Sequence, residues 1–187
     1  MIKIYTVGHS TRKIEDFISI LKAYRIKVLV DVRAFPVSTR NPQFSLKNLE
    51  SSLKQQGIEY IWSGKELGGY RKKSDGLGER SPNQGWKSEG FRIYADYMMS
   101  DSFKKGVDQL IDRVKEKTVA FMCAEKFYWR CHRRLISDFL VSQGKEVWHI
   151  VKSDTIRRHE LTKFARIKNG GLYYPAEDSA EPSLFRA

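Results

Sequence analysis

Cysteine is almost absent from this 187-residue chain: Cys123 and Cys131 are the only two. Two thiols cannot build the cross-linked framework of a small extracellular domain, so both are expected to be reduced and stability must come from a buried core. Long apolar runs are missing as well. No stretch approaches the ~20 apolar residues that span a bilayer, and Met1-Ile2-Lys3-Ile4-Tyr5 lacks the apolar core and cleavage site of a signal peptide. A cytoplasmic location without a membrane partner is expected. Acidic residues are the third scarcity, 22 against 34 Lys and Arg, which leaves a net charge of +12. Such a field favours polyanionic partners, nucleic acid first, because no basic amphipathic helix offers itself to a membrane face. Internal repeats and low-complexity tracts are absent too, and the length suits one core and not two.

What is present is an alternation of strand and helix patterns. Lys3–Val7 reads as a strand ending at Gly8, and Ile14, Phe17, Ile18 and Leu21 recur at helical spacing, with Ser10 or Thr11 placed to cap them. Lys27–Val32 is a β-branched strand, followed by a loop broken by Pro36 and Pro42. Ser45 is placed to cap a helix carrying Leu46, Leu49 and Leu53, with Gly57 at its C′ position. Strands over Ile58–Trp62, Thr118–Cys123 and Glu146–Val151 follow, with helices over Phe91–Met99, Ser102–Lys115 and Cys131–Gln143, the last closed by Gly144. The pattern predicts a single α/β domain over 1–175, a doubly wound and mainly parallel sheet of about five strands with helices on both faces. A tail over 176–187 is expected to be loosely ordered. Gly64–Gly90 breaks the economy: it holds seven glycines, six basic residues (Lys65, Arg71, Lys72, Lys73, Arg80, Lys87) and the aromatics Tyr70 and Trp86. A connection that long predicts a basic lid or binding loop over the sheet edge.

Open parallel sheets bind ligands at the carboxyl ends of their strands. Here three of five such ends carry reactive side chains: Gly8-His9-Ser10, Asp31-Val32-Arg33 and Cys123-Ala124-Glu125-Lys126. Their convergence on one crevice is the expectation, although Gly8 also serves a tight turn, Ser10 a cap, and Asp31 with Arg33 a local ion pair. The stretch Cys123–Arg134 is densest in chemistry. A thiol at Cys131, at a helix N-terminus among arginines, should ionise more readily than usual, and Arg133 at the same end suits a phosphate. A cysteine-phosphatase loop is disfavoured because no glycine-rich turn joins the Cys to the Arg. The gap between Cys123 and Cys131 fits no standard zinc pair, so no metal site is expected. Neither a Walker loop nor a dinucleotide fingerprint occurs, so no cofactor is expected.

The run Thr6-Val7-Gly8-His9-Ser10, then Asp31-Val32-Arg33 with Pro36 and Ser38, Asn41-Pro42-Gln43-Phe44, Leu67-Gly68-Gly69, and Cys123-x-Glu125 with Cys131-His132-Arg133, resembles the Domain of Unknown Function 488 family. The blocks occur in the family's order over roughly residues 3 to 150. The resemblance implies an α/β fold and a site at these blocks. Gly8, Ser10, Arg33, Ser38, Gly68, Gly69, Arg71, Cys131, His132 and Arg133 would bind substrate or phosphate there, and Asp31, Glu125, His9, Lys126 and Cys123 would carry chemistry. Archaeal members of the family suggest excision of oxidised pyrimidines from DNA, which suits the charge. A flipped base needs aromatic faces, and Tyr70, Trp86, Phe127, Tyr128 and Trp129 supply them. Asp31 or Glu125 could activate water, and a lyase step would need an amine, Lys126 or Lys65. Three readings stand: a DNA glycosylase with or without a lyase step, an enzyme on a small phosphorylated or nucleotide-like substrate held by Arg33, Arg71 and Arg133, and a non-catalytic DNA- or RNA-binding module.

Overall fold

The computed structural model describes residues 3–176. Six strands make the middle layer: β1 (Lys3–Gly8), β2 (Val28–Asp31), β3 (Glu59–Trp62), β4 (Val119–Cys123), β5 (Glu146–Lys152) and β6 (Thr155–Arg158). Their spatial order is β3-β2-β4-β1-β5-β6, and every neighbouring pair is parallel except β5 with β6. Successive strand residues point to opposite faces, and that alternation sorts the apolar side chains into two cores. Ile4, Val28, Val30, Val119, Phe121 and Val147 enter one; Val7, Leu29, Ala120, Met122 and Ile150 enter the other.

The second core is closed by α1 (Ile14–Ala23), through Phe17, Ile20 and Leu21, and by α2 (Leu46–Lys54), through Leu49 and Leu53. A one-turn helix α3 (Gly64–Leu67) leads to the other side, where α4 (Glu89–Tyr97), α5 (Asp101–Glu116) and α6 (Arg133–Ser142) cover the first core. The i, i+4 pairs Phe17–Leu21, Leu49–Leu53 and Phe103–Val107 are the apolar stripes that turn these helices inward. Each such side chain taken fully out of water contributes about 1.5–3 kcal/mol. The doubly wound architecture is therefore present.

Several local details differ from the sequence reading. Ser10 does not cap α1: its backbone is left-handed, at φ 52°, and Lys13 takes the N-cap position. Ser45 sits at the N-cap of α2, but its hydroxyl donates to the Pro42 carbonyl at 2.7 Å. Gly57 and Gly144 do adopt the positive φ that ends their helices, 69° and 72°. α6 starts at Arg133 because Cys131 is extended. A small hairpin, β7 (Arg166–Lys168) with β8 (Gly171–Tyr173), turns through Asn169 and Gly170, both at positive φ, and buries Leu172 and Tyr174 in the first core. Among the described residues no helix is long and apolar enough to cross a membrane. The tail expected over 176–187 lies, beyond Ala176, outside the described residues.

The glycine-rich connection, expected as a basic lid or binding loop, is a strap tied down by buried polar contacts. Buried Asp96 of α4 accepts from the Leu77 amide (2.8 Å), the Ser81 hydroxyl (2.5 Å) and the Asn83 amide group (2.8 Å). Asn83 in turn accepts from the Tyr174 backbone at 3.0 Å. Trp86, read from sequence as a face for a base, is 6% exposed and packs against Phe91, Phe164 and Tyr174. Its indole is core.

Candidate functional site

At the carboxyl ends of β1, β2 and β4 the loops enclose a cleft of about 930 Å³. Of the residues singled out from sequence, His9, Ser10, Arg33, Ser38, Gly69, Cys123, Glu125, Lys126, Cys131 and His132 line it. Gly8, Asp31, Gly68, Arg71, Arg133 and Lys65 do not. Arg130, from the dense Cys123–Arg134 stretch, lines it too, and so do Phe35, Val37 and Arg40, which the sequence reading did not single out. Phe35 and Tyr70 stand 66% and 63% exposed, with ring centroids 5.5 Å apart, and form an aromatic lip.

The floor is an ion pair. Asp31 is fully buried and accepts from Arg33 Nε at 2.9 Å (Oδ1), from Arg33 Nη2 at 2.5 Å (Oδ2), from the Arg33 backbone at 3.0 Å and from the Tyr60 hydroxyl at 2.7 Å. A carboxylate so saturated has no lone pair left to activate water. Asp31 therefore holds Arg33, which correspondingly is not a free phosphate ligand. Burial disfavours the Arg33 charge, but the Asp31 bonds outweigh it and raise its pKa; burial and Asp31 together push the Tyr60 phenol up. Arg33 Nη1 lies 3.3 Å from His9 Nε2, and His9 Nδ1 lies 2.7 Å from the Ser10 carbonyl. That arrangement puts the His9 proton on Nδ1. Burial, then the Arg33 charge, lowers the His9 pKa to about 4, and the ring stacks on Phe44 at 4.1 Å.

One wall is set by Arg133, which is 1% exposed. It donates to Thr6 Oγ1 at 3.1 Å and to the Glu125 carbonyl at 2.6 Å, so it shapes the loop after β4 and is not the phosphate cradle expected of it. Gly8 is needed for close approach and not for a turn: a Cβ there would lie 2.0 Å from the Glu125 carbonyl oxygen. Gly68 is constrained alike: a Cβ there would lie 2.2 Å from the Gly64 carbonyl oxygen. Arg71 is tied to the Lys65 and Glu66 carbonyls and lies over Tyr97, away from the cleft. Among the described residues Glu125 is the one carboxylate lining the cleft, and its Oε1 accepts from the Phe127 amide at 3.0 Å. Arg40, Lys126 and Arg130 line the cleft too, and among the described residues none of the three has an ion-pair partner.

The two thiols converge beside His132. Cys131 Sγ lies 3.5 Å and Cys123 Sγ 4.0 Å from His132 Nδ1, while His132 Nε2 lies 3.0 Å from the Val32 carbonyl. The separation along the chain, which argued against a shared site, is closed by the fold, because the turn Tyr128–Arg130 brings Cys131 back to the end of β4. The interaction between the two thiols lowers the Cys131 pKa and raises that of Cys123; burial opposes the first change and adds to the second, and the Arg133 charge favours ionisation of both.

A second buried polar chain escaped the sequence reading. Asp138 accepts from Thr162 Oγ1 (2.7 Å) and the Tyr174 hydroxyl (2.9 Å), and pairs with His159 Nε2 (2.9 Å); His159 Nδ1 lies 2.8 Å from His149 Nε2. Tyr128 stacks on His149 at 3.4 Å, which removes Tyr128 from the exposed aromatic set. These residues fasten the C-terminal hairpin to α6 behind the cleft wall. No histidine pattern in the sequence announces them.

The model of the family described as Domain of unknown function DUF488 matches residues 13–140, more than half of the chain, and the chain belongs to that family. The match takes in the Asp31–Arg33, Gly68–Gly69 and Cys123–Arg133 segments, and the Gly8-His9-Ser10 strand end lies ahead of it. No curated protein and no solved structure matches the chain.

Proposed function

We propose that this member of the DUF488 family is an enzyme on nucleic acid that excises a damaged base, an oxidised pyrimidine by our reading, from DNA. The observation that carries the reading is the composition of the cleft: among the described residues, three cations without an ion-pair partner, Arg40, Lys126 and Arg130, stand against the single carboxylate Glu125, behind the exposed rings of Phe35 and Tyr70. Cations around a concave site favour a phosphate-bearing substrate, and exposed aromatic faces suit a base taken out of its stack. About 930 Å³ is ample for one nucleotide. Glu125 is the carboxylate placed to take a proton from attacking water or to steady positive charge on the sugar. Lys126 is the amine of the site. If excision uses an amine nucleophile, Lys126 would first give one proton to Glu125; its nitrogen would then bond to C1′ while the glycosidic electron pair leaves with the base, which takes up the second proton the amine gives up, and the linked sugar is the species a later lyase step would need.

The test is a panel of duplexes each carrying one damaged base, assayed for base release, together with the salt dependence of binding. Each phosphate contact should contribute a slope of about −0.9 in log K against log salt. We expect two such contacts from exposed Lys72 and Lys73 of the strap, the second releasing its surface pair with Glu89 to make one, so removing both should flatten the slope by about two. Binding with that slope but no release from any duplex would leave a binding module. A slope near zero would instead move the reading to a small phosphorylated substrate.

A further inference from the structure

We propose that Cys123, Cys131 and His132 form a site for a divalent zinc-class cation, with three protein ligands and a fourth position open to the cleft. This stands apart from the base-excision reading and rests on different atoms. The three ligand atoms lie within 4.8 Å of one another. Tetrahedral zinc with Zn–S of ~2.3 Å and Zn–N of ~2.05 Å places sulfur and nitrogen about 3.6 Å apart. The observed separations are 3.5 Å for Cys131 and 4.0 Å for Cys123. Both sulfur–nitrogen edges are thus within a few tenths of an ångström of that geometry, and the two sulfurs, no more than 4.8 Å apart, close toward the ~3.8 Å that two Zn–S bonds require.

The surroundings orient the ligands as a metal requires. The His132 Nε2–H donates to the Val32 carbonyl at 3.0 Å, which fixes the tautomer and leaves the Nδ1 lone pair facing the sulfurs. Such a bond on the far ring nitrogen is the usual support of a ligating histidine. The ring is held between the edge of Tyr94, 5.3 Å away, and the backbone of Gly69, where a Cβ would come within 2.4 Å of Nδ1. Charge balances as well. Two thiols lose their protons to solvent, two S–Zn bonds and one N–Zn bond form, and a neutral centre results, so buried Cys131 carries no unpaired charge. All three residues line the cleft, so water or a substrate atom can complete the tetrahedron there. Soft sulfur ligands favour zinc over magnesium or calcium.

The reduced, chelator-treated full chain is to be titrated with Zn²⁺ alone, and separately with Co²⁺. One ion per chain is expected, with a cobalt spectrum showing tetrahedral visible bands and thiolate charge transfer, and with both thiols protected from alkylation by zinc. Cys131→Ser and Cys123→Ser should each abolish the charge-transfer band or change its intensity. Gly69→Ala, which pushes the His132 ring aside while leaving all three ligand residues unmutated, should weaken zinc about 10–100-fold. Alkylation of unmodified protein needs no variant to fold, so it decides alone if the variants fail. Substoichiometric zinc, or equal alkylation rates with and without it, would overturn the proposal. So would a Cys123–Cys131 disulfide that forms as readily in the presence of zinc.

Discussion

Replacing Asp31 by Asn should cost this protein more than any substitution of an exposed site residue. The carboxylate is wholly buried, and Arg33, 6% exposed, donates to it from Nε, from Nη2 and from its backbone amide. Asn keeps the shape but removes the charge, so a guanidinium is left in a low-dielectric floor with only Nη1 directed elsewhere, toward His9. Breaking a buried pair from one side costs about 3–5 kcal/mol. For a chain of this size each kcal/mol lowers the melting temperature by about 2–4 °C, so a fall of roughly 6–20 °C is expected. Tyr60→Phe removes one bond to the same carboxylate and should cost about 1.5–3 kcal/mol. Urea unfolding of Asp31→Asn, Arg33→Met and the double variant measures the coupling directly. Because the double variant strands no charge, it should be more stable than the sum of the two single losses predicts. A loss under ~1 kcal/mol for Asp31→Asn, with additive singles, would refute the pair as the organiser of the floor.

Acid should destabilise the fold through its buried histidines. His9 titrates near 4 when folded and at 6.5 in its ordinary state, so between those values the unfolded chain binds more protons and stability falls as pH falls. Each such histidine contributes a slope of about 1.4 kcal/mol per pH unit, and denaturant unfolding at pH 7, 6 and 5 should lose that increment in His9→Gln. His149, lowered to about 2 by burial, His159 and Arg133, adds the same sign over the same window. Gly8→Ala would drive a methyl into the Glu125 carbonyl; a loss of about 1–3 kcal/mol with a displaced Glu125 loop is expected, read by thermal melting and by weakened substrate turnover.

Much of the fold is legible because burial on both faces leaves its mark. Val28-Leu29-Val30 is apolar on successive residues since β2 sits between two cores, and Gly57 and Gly144 end helices at positive φ as their positions suggest. β6 is hidden because Thr155-Ile156-Arg157-Arg158 has one apolar residue and lies at the sheet's edge, where only one face needs covering. The β7–β8 hairpin had a signal, Asn169-Gly170, but strands of three residues give it no flanking alternation. Within the site, the strand-end rule found the cleft because it depends on topology alone. It could not separate residues that face the cleft from Asp31 and Arg133, which hold those residues in place; that distinction lies in side-chain direction. Sequence spacing argues against the thiol–imidazole cluster for another reason: spacing rules describe local chelates, and here a turn brings the end of a strand and the start of a helix together.

The base-excision reading is tested most directly by single-turnover base release from a duplex bearing one oxidised pyrimidine, comparing the unmodified chain with Glu125→Gln. The account predicts release by the first and a loss of about 10²–10⁴-fold in the second, with the salt slope of binding unchanged because the substitution removes a carboxylate and no phosphate contact. Equal rates of release from both proteins would contradict it.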